Sequence, residues 1–188
     1  MIAPTKYSVK HDYRAAHDSG PRPLSAIELF VVHDMEVALY DQAAEAVGRF
    51  FESGGAQAST HYGIDDNSIQ MYLASLAIIP WGAPHANLNG IHYELMGKAA
   101  WTHDQWMKHK GTLDRAAWLL AKNWTYLRGK GVGVPLRKLT DAELKAGKKG
   151  ITTHRQVARV FGGTHTDPGS NFPMDWLVSK ARYYAGLK

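Results

Sequence analysis

An α/β fold with a central mixed β-sheet and flanking helices is the class this sequence predicts, and three observations carry that reading. Short apolar runs bounded by turn residues alternate with segments of helical period. Two segments open with the Thr-x-x-Gln or Thr-x-x-Glu spacing of a capped helix. The length of 188 residues, 45% hydrophobic and 21% charged, suffices for one buried core.

Residues 1–25 are polar with several turn formers and read as an N-terminal lead-in, leaving 26–188 as a single domain. Ala26–Val32 (AIELFVV) is a mostly apolar run, predicted as a central strand that ends at His33-Asp34. Residues 41–52 form a short amphipathic helix stopped by Ser53-Gly54-Gly55. Ala58–Asp65 and Ser68–Leu73 read as neighbouring strands about a tight turn at Asp66-Asn67.

A Gly/Pro-containing loop, Pro80–Asn89, leads to a strand over Gly90–Met96. Trp101–Leu127 is predicted helical, opened by Thr102 and Gln105 and divided at Gly111. After a Gly129–Gly133 connection, Thr140 and Glu143 start a short helix that stops near Gly147. Lys149–Thr153 is a short strand directly before His154. Pro173–Tyr184 closes the chain as a helix, with Pro in its first turn and apolar positions 174, 177, 178 and 181 on one face.

Composition narrows the chemistry. Without cysteine there is no disulfide framework, thiol nucleophile or thiolate metal site, so a metal here would be held by imidazole and carboxylate, a set that suits zinc. The formal charge of +5 is dispersed apart from Lys145, Lys148 and Lys149, and no nucleic-acid module is present, so nucleic acid is not an expected partner. The longest apolar runs are too short to span a bilayer, and membrane insertion is not expected. MIAPTKYSVKHDYR lacks the apolar core of a signal peptide.

Ten histidines supply many candidate ligands, of which position selects a few. His33 lies at the end of the strongest apolar strand and His154 after another. His165 and Asp167 stand in the turn-rich run GGTHTDPG, where side chains can converge on a cleft. Two imidazoles and a carboxylate would complete a zinc site whose fourth position is left to water. The same residues could equally act as turn caps and structural hydrogen-bond partners, and Glu94 could be an ordinary strand carboxylate.

The ordered segments FVVHD, STHYGIDD, NGIHYELMG and ITTHRQ…GGTHTDPGSNFP resemble the zinc-dependent N-acetylmuramoyl-L-alanine amidase family. That family includes bacterial anhydromuramyl-peptide amidases, phage lysozymes and peptidoglycan recognition proteins. The resemblance covers roughly residues 26–178. It implies a zinc ion (Zn2+) on His33, His154 and Asp167, at one edge of the sheet, and no organic cofactor. It also implies Glu94 as the proton-transferring catalytic carboxylate. His165 replaces the lysine often found two residues before the third ligand, and in protonated form could stabilise the oxyanion.

The implied substrate is bacterial peptidoglycan, cut at the amide between N-acetylmuramic acid and L-alanine. The alternatives are a peptidoglycan-binding protein without catalysis and a zinc peptidase of the stem peptide. Intact ligand candidates weigh against the first and the order of the motifs against the second. The long run Trp101–Lys149 and the missing signal point, by the same resemblance, to a phage endolysin made in the host cytoplasm and acting on the cell wall, either an isolated catalytic domain or one paired with a separate wall-binding domain.

Other residues carry weaker expectations. Tyr62 shares a strand face with Thr60, where some phage members carry a catalytic Tyr, so it could contact substrate. His61 is expected to be a packed strand residue. His85 and His92 are placed near the cleft edge and His103 and His109 along the helical region. Trp81 could contact ligand, whereas Trp118 and Trp124 are expected in the core.

Overall fold

A computed structural model describes residues 6–38 and 41–187; the first five residues of the lead-in lie outside the described residues. Five strands, β1 (Leu29–Asp34), β2 (Tyr62–Ile64), β3 (Ile69–Met71), β4 (Gly90–Leu95) and β5 (Gly150–Thr153), form one sheet in the order β3-β2-β4-β1-β5. All neighbours run parallel except β2 and β3, an antiparallel hairpin, so the sheet is mixed. The helices are α1 (Ala43–Glu52), α2 (His103–Lys108), α3 (Lys110–Gly129), α4 (Asp141–Lys145), α5 (His154–Phe161) and α6 (Met174–Tyr184).

β1 is buried on both faces, which explains its continuous apolar run. Alternation then assigns its side chains. Phe30 and Val32 join the core formed with α3 and α6, whereas Leu29 and Val31 pack on Leu139, Leu144 and Val157. His33 continues the second face. The parallel register opposes Val31 to His92 and His33 to Glu94, so those two residues of β4 share that face with His33. The sheet thus delivers three functional candidates to one side at its carboxyl-terminal edge, where open parallel sheets gather their sites.

Several boundaries differ from the sequence expectation. β1 starts at Leu29, after a 3-10 turn over Leu24–Ala26, and includes His33 and Asp34. The hairpin pairs only three residues on each strand. The long helix breaks at His109 rather than at Gly111. Asp66 explains the shift: its carboxylate accepts from the backbone and hydroxyl of Thr112 and contacts His109 Nδ1, capping α3 from outside its own sequence. Helix α5 was not anticipated at all.

Both capping boxes form, at Thr102 with Gln105 and at Thr140 with Glu143. Gly147, with φ of 70°, closes α4 in the left-handed conformation that stops a helix there. Among the described residues no helix is long and apolar enough to cross a membrane.

The described lead-in residues are tied to the sheet rather than free of it. Lys10 bridges Gln70 of β3, and Pro21 bridges Ile78. Arg22 is buried and donates to the carbonyls of Asn87, Leu76 and Gly90 at 2.7, 3.1 and 2.7 Å. It satisfies the chain on either side of β4's entry, and burial lowers its pKa to about 10.

Candidate metal centre and cleft

Three side chains meet beyond the carboxyl ends of β1 and β5. His33 Nδ1 lies 3.1 Å from His154 Nδ1 and 3.2 Å from Asp167 Oδ2, and His154 Nδ1 lies 3.2 Å from both Asp167 oxygens. Ligands about 2.0–2.1 Å from a tetrahedral ion sit roughly 3.3 Å apart. The edges of this triangle therefore fit a zinc-sized ion, and two neutral imidazoles with one carboxylate are a donor set that zinc accepts. Among the described residues this trio is the one cluster of His, Asp and Glu with such convergence.

Each ligand is held by a different device. His33 is fixed by strand pairing opposite Glu94 of β4, one residue beyond the last pair of β1 with β5, and His154 is the first residue of α5, set by its neighbour Thr153. Thr153 caps that helix by accepting from the backbone of Gln156. The loop carrying Asp167 is stitched to the same helix start, since Arg155 N donates to Asp167 O at 2.8 Å. Gly169, with φ of 87°, lets the loop turn against the carbonyl of Ala99, where a Cβ would collide.

Burial lowers the pKa of His33, which favours the neutral imidazole a metal requires. Burial disfavours charge on Asp167 too, but the imidazoles of His154 and His33 outweigh it and hold the carboxyl well below the usual range. Glu94 lies beside this trio, its Oε1 3.9 Å from His33 Nδ1 and its Oε2 without a partner. Burial, then the charges of Asp167 and Asp34, raise its pKa well above that of an ordinary carboxyl. Burial likewise pushes Asp34 up to about 7. His165 stacks on His154 with ring centroids 3.7 Å apart and keeps 57% of its side chain exposed.

These groups open into a cavity of about 420 Å³ that contains His33, His154, His165, Asp167 and Glu94. Val47, Phe50 and Phe51 of α1 form an apolar wall on it, with Phe50 58% exposed. A larger cleft of about 650 Å³ lies beyond the Asp167 loop. Its charges are largely matched, Arg159 to Asp141 and Lys138 to Asp175, and it lacks the convergent donors. The converging donors line the smaller cavity.

The family model described as N-acetylmuramoyl-L-alanine amidase matches residues 23–170, well over half of the chain. The chain belongs to that family. No curated protein sequence matches it. Among solved structures, it is similar to the Staphylococcus aureus hydrolase AmiA in complex with its ligand, at 19% identity and a TM-score of 0.69. That match covers 99% of this chain and 87% of AmiA. The catalytic domain of XlyA follows at 16% identity and TM-score 0.61, covering 93% of this chain and 99% of that one. The PlyG catalytic domain matches at 12% identity and TM-score 0.61, over 96% and 97% of the two chains. At these identities the likeness is one of fold.

In this amidase-family chain the remaining candidates fall outside the cavity. Tyr62 is buried, stacked on Tyr93, and its hydroxyl donates to Asn123 Oδ1 of α3 at 3.3 Å. The alternation of β2 turns it to the α3 face, so it packs in the core and does not line the cavity. Thr60 is also buried. His85 stacks on Phe161, His103 borders the larger cleft, and Trp81 stacks on His17 and donates to Ser19. Trp118 and Trp124 are core residues.

His92 is the residue that sequence reasoning misplaced. Rather than standing at the cleft edge it is fully buried behind His33, with Nδ1 2.9 Å from His33 Nε2. The available signal was alternation with Glu94 along one strand, but using it needs the register between β1 and β4.

His61 is buried next to it and accepts at Nδ1 from His92 N–H at 3.2 Å. Burial, with the nearby Arg22 charge, brings its pKa down to about 3. Below about pH 6.5 the unfolded chain takes up a proton there that the folded chain refuses, so this residue's contribution falls as pH drops toward 3. His61→Asn keeps an acceptor but does not titrate. In chelated protein, the stability difference between the wild type and this variant should shrink by about 2 kcal/mol between about pH 7.5 and about pH 5. Urea unfolding at both pH values measures it, and an unchanged difference would mean that folded His61 titrates normally.

Proposed function

We propose that the chain is a zinc-dependent amidase that hydrolyses the bond between the lactyl group of N-acetylmuramic acid and L-alanine in bacterial peptidoglycan. One observation carries the reading: a tetrahedral triangle of His33, His154 and Asp167 faces the same cavity as an unpartnered Glu94, in a chain of this family. These three residues would hold the ion. A zinc ion there supplies Lewis-acid polarisation of the scissile carbonyl and of the attacking water.

Glu94 handles the proton. Its raised proton affinity suits a carboxylate that takes a proton from the attacking water and passes it to the departing alanine nitrogen. Water oxygen bonds to the carbonyl carbon, the carbon–nitrogen bond breaks, and the products are a lactyl carboxylate and a free amine. His165, exposed beside His154, donates a ring N–H to the oxyanion as charge develops. The apolar wall of Val47 and Phe50 excludes water from one side of the substrate.

Residues 26–188 act as one catalytic unit in this reading. It serves a phage-type lytic enzyme, made in the host cytoplasm and acting on the wall. The experiment is product analysis. Peptidoglycan treated with zinc-loaded protein should release stem peptides with a new N-terminal alanine, without a matching rise in reducing sugar ends. Mass spectrometry against a chelated control reads this out. Cleavage only within the stem peptide would replace the amidase by a peptidase, and binding without bond cleavage would remove the enzyme.

A further inference from the structure

We propose that His92 is a positioning residue that fixes the proton of His33 on Nε2 and so presents the bare Nδ1 to the metal. The proposal rests on the metal reading above and concerns a residue outside the three ligands. The chain of inference starts at a backbone carbonyl. Ala86 O can only accept, and it lies 3.2 Å from His92 Nε2, so that nitrogen carries the hydrogen. In a neutral ring His92 Nδ1 is then a lone pair. Facing it at 2.9 Å is His33 Nε2, which must supply the N–H. In the neutral ring that metal binding requires, the remaining nitrogen of His33, Nδ1, is left without a hydrogen, 3.1 Å from His154 Nδ1 and 3.2 Å from Asp167 Oδ2.

The ring has no freedom to break this relay. His92 is fully buried, and its backbone N–H is held by His61 Nδ1 at 3.2 Å. Two glycines make its space. A Cβ on Gly82 would stand 2.6 Å from His92 Nδ1, and one on Gly90 would stand 2.7 Å from Nε2. Any side chain at either position would push the ring out of line with His33 or with Ala86.

Metal-bound histidines usually pass their second N–H to a carboxylate, a carbonyl or water. Here an imidazole is interposed between the ligand and the carbonyl. It sets the tautomer by accepting the N–H, yet adds no negative charge behind His33, leaving Asp167 as the ligand that supplies it. Strand β4 therefore serves the site twice on one face, His92 behind the ligand and Glu94 beside it.

Two measurements test the relay. Long-range proton–nitrogen NMR of wild-type protein, metal-free and zinc-loaded, should show hydrogen on Nε2 in both His92 and His33. A hydrogen on His33 Nδ1 in the metal-free protein, or on His92 Nδ1 in either form, overturns the proposal, and this reading needs no variant to fold. The second measurement is the zinc dissociation constant by chelator competition. His92→Phe keeps a ring but removes the acceptor, and should weaken zinc binding by roughly 10–100-fold. His92→Asn, whose Oδ1 can stand near the position of Nδ1, should recover most of that loss. Equal affinity in folded His92→Phe and wild type overturns the relay while sparing the metal site. A wild type that binds no zinc overturns the metal reading itself, whatever the tautomers.

Discussion

Replacing Glu94 with Gln should leave a folded, zinc-retaining protein whose turnover on peptidoglycan falls by roughly 10²–10⁴-fold. The amide has the shape of the carboxylate but cannot take a proton from water or return one to the leaving nitrogen. Folding should survive because the charge supports no close hydrogen bond: Oε2 is unpartnered, and Oε1 approaches His33 Nδ1 only to 3.9 Å. Burial already disfavours the charged form, so a neutral replacement removes an electrostatic cost rather than a support. Zinc content, circular dichroism and initial rates, measured on one preparation, separate the outcomes. Near-wild-type turnover in a zinc-loaded variant would take Glu94 out of proton transfer, and loss of zinc along with rate would make it a supporting residue of the metal site.

The parts of this fold that the sequence made legible are those decided locally. The doubly buried β1 announces itself by an unbroken apolar run, and both Thr-initiated helices by side chains that satisfy their own first turn. What was not legible depends on partners distant in the chain. The break at His109 follows from Asp66 reaching across from the hairpin. Tyr62 belongs to the core because Asn123 of α3 receives its hydroxyl, which nothing in STHYGIDD reveals. Helix α5 is a different failure. Thr153 three residues before Gln156 is a start signal, as are apolar Val157, Ala158, Val160 and Phe161, but the helix begins directly where β5 ends, with no turn residues to separate the two periods.

The candidate ligands were reachable because two of them sit where strands end and the third in a run of turn residues. Their supports were not, since His92 acquires its role only when the parallel register brings Val31 beside it and His33 beside Glu94. Ligand type is a property of residues, whereas ligand orientation is a property of the sheet.

That distinction sets the last expectation, the loss of metal when a corner of the triangle is removed. Wild-type protein should retain about one zinc per chain after dialysis, with metal–ligand distances of about 2.0–2.2 Å. His33→Ala and Asp167→Ala should each weaken retention by more than about 100-fold, beyond what changes to supporting residues cost. The two differ in kind: the first removes a neutral donor and empties the space in front of His92, and the second removes the charge that balances the ion. Asp167→Asn keeps shape without charge and should fall between wild type and Asp167→Ala. His85→Ala, a histidine stacked on Phe161 away from the trio, controls for general loss of imidazole and should retain zinc as the wild type does. Elemental analysis after dialysis against a mild chelator ranks all five proteins. Equal retention by His33→Ala and wild type would dissolve the triangle as a metal site, and loss of zinc from His85→Ala alone would move the ion elsewhere on the surface.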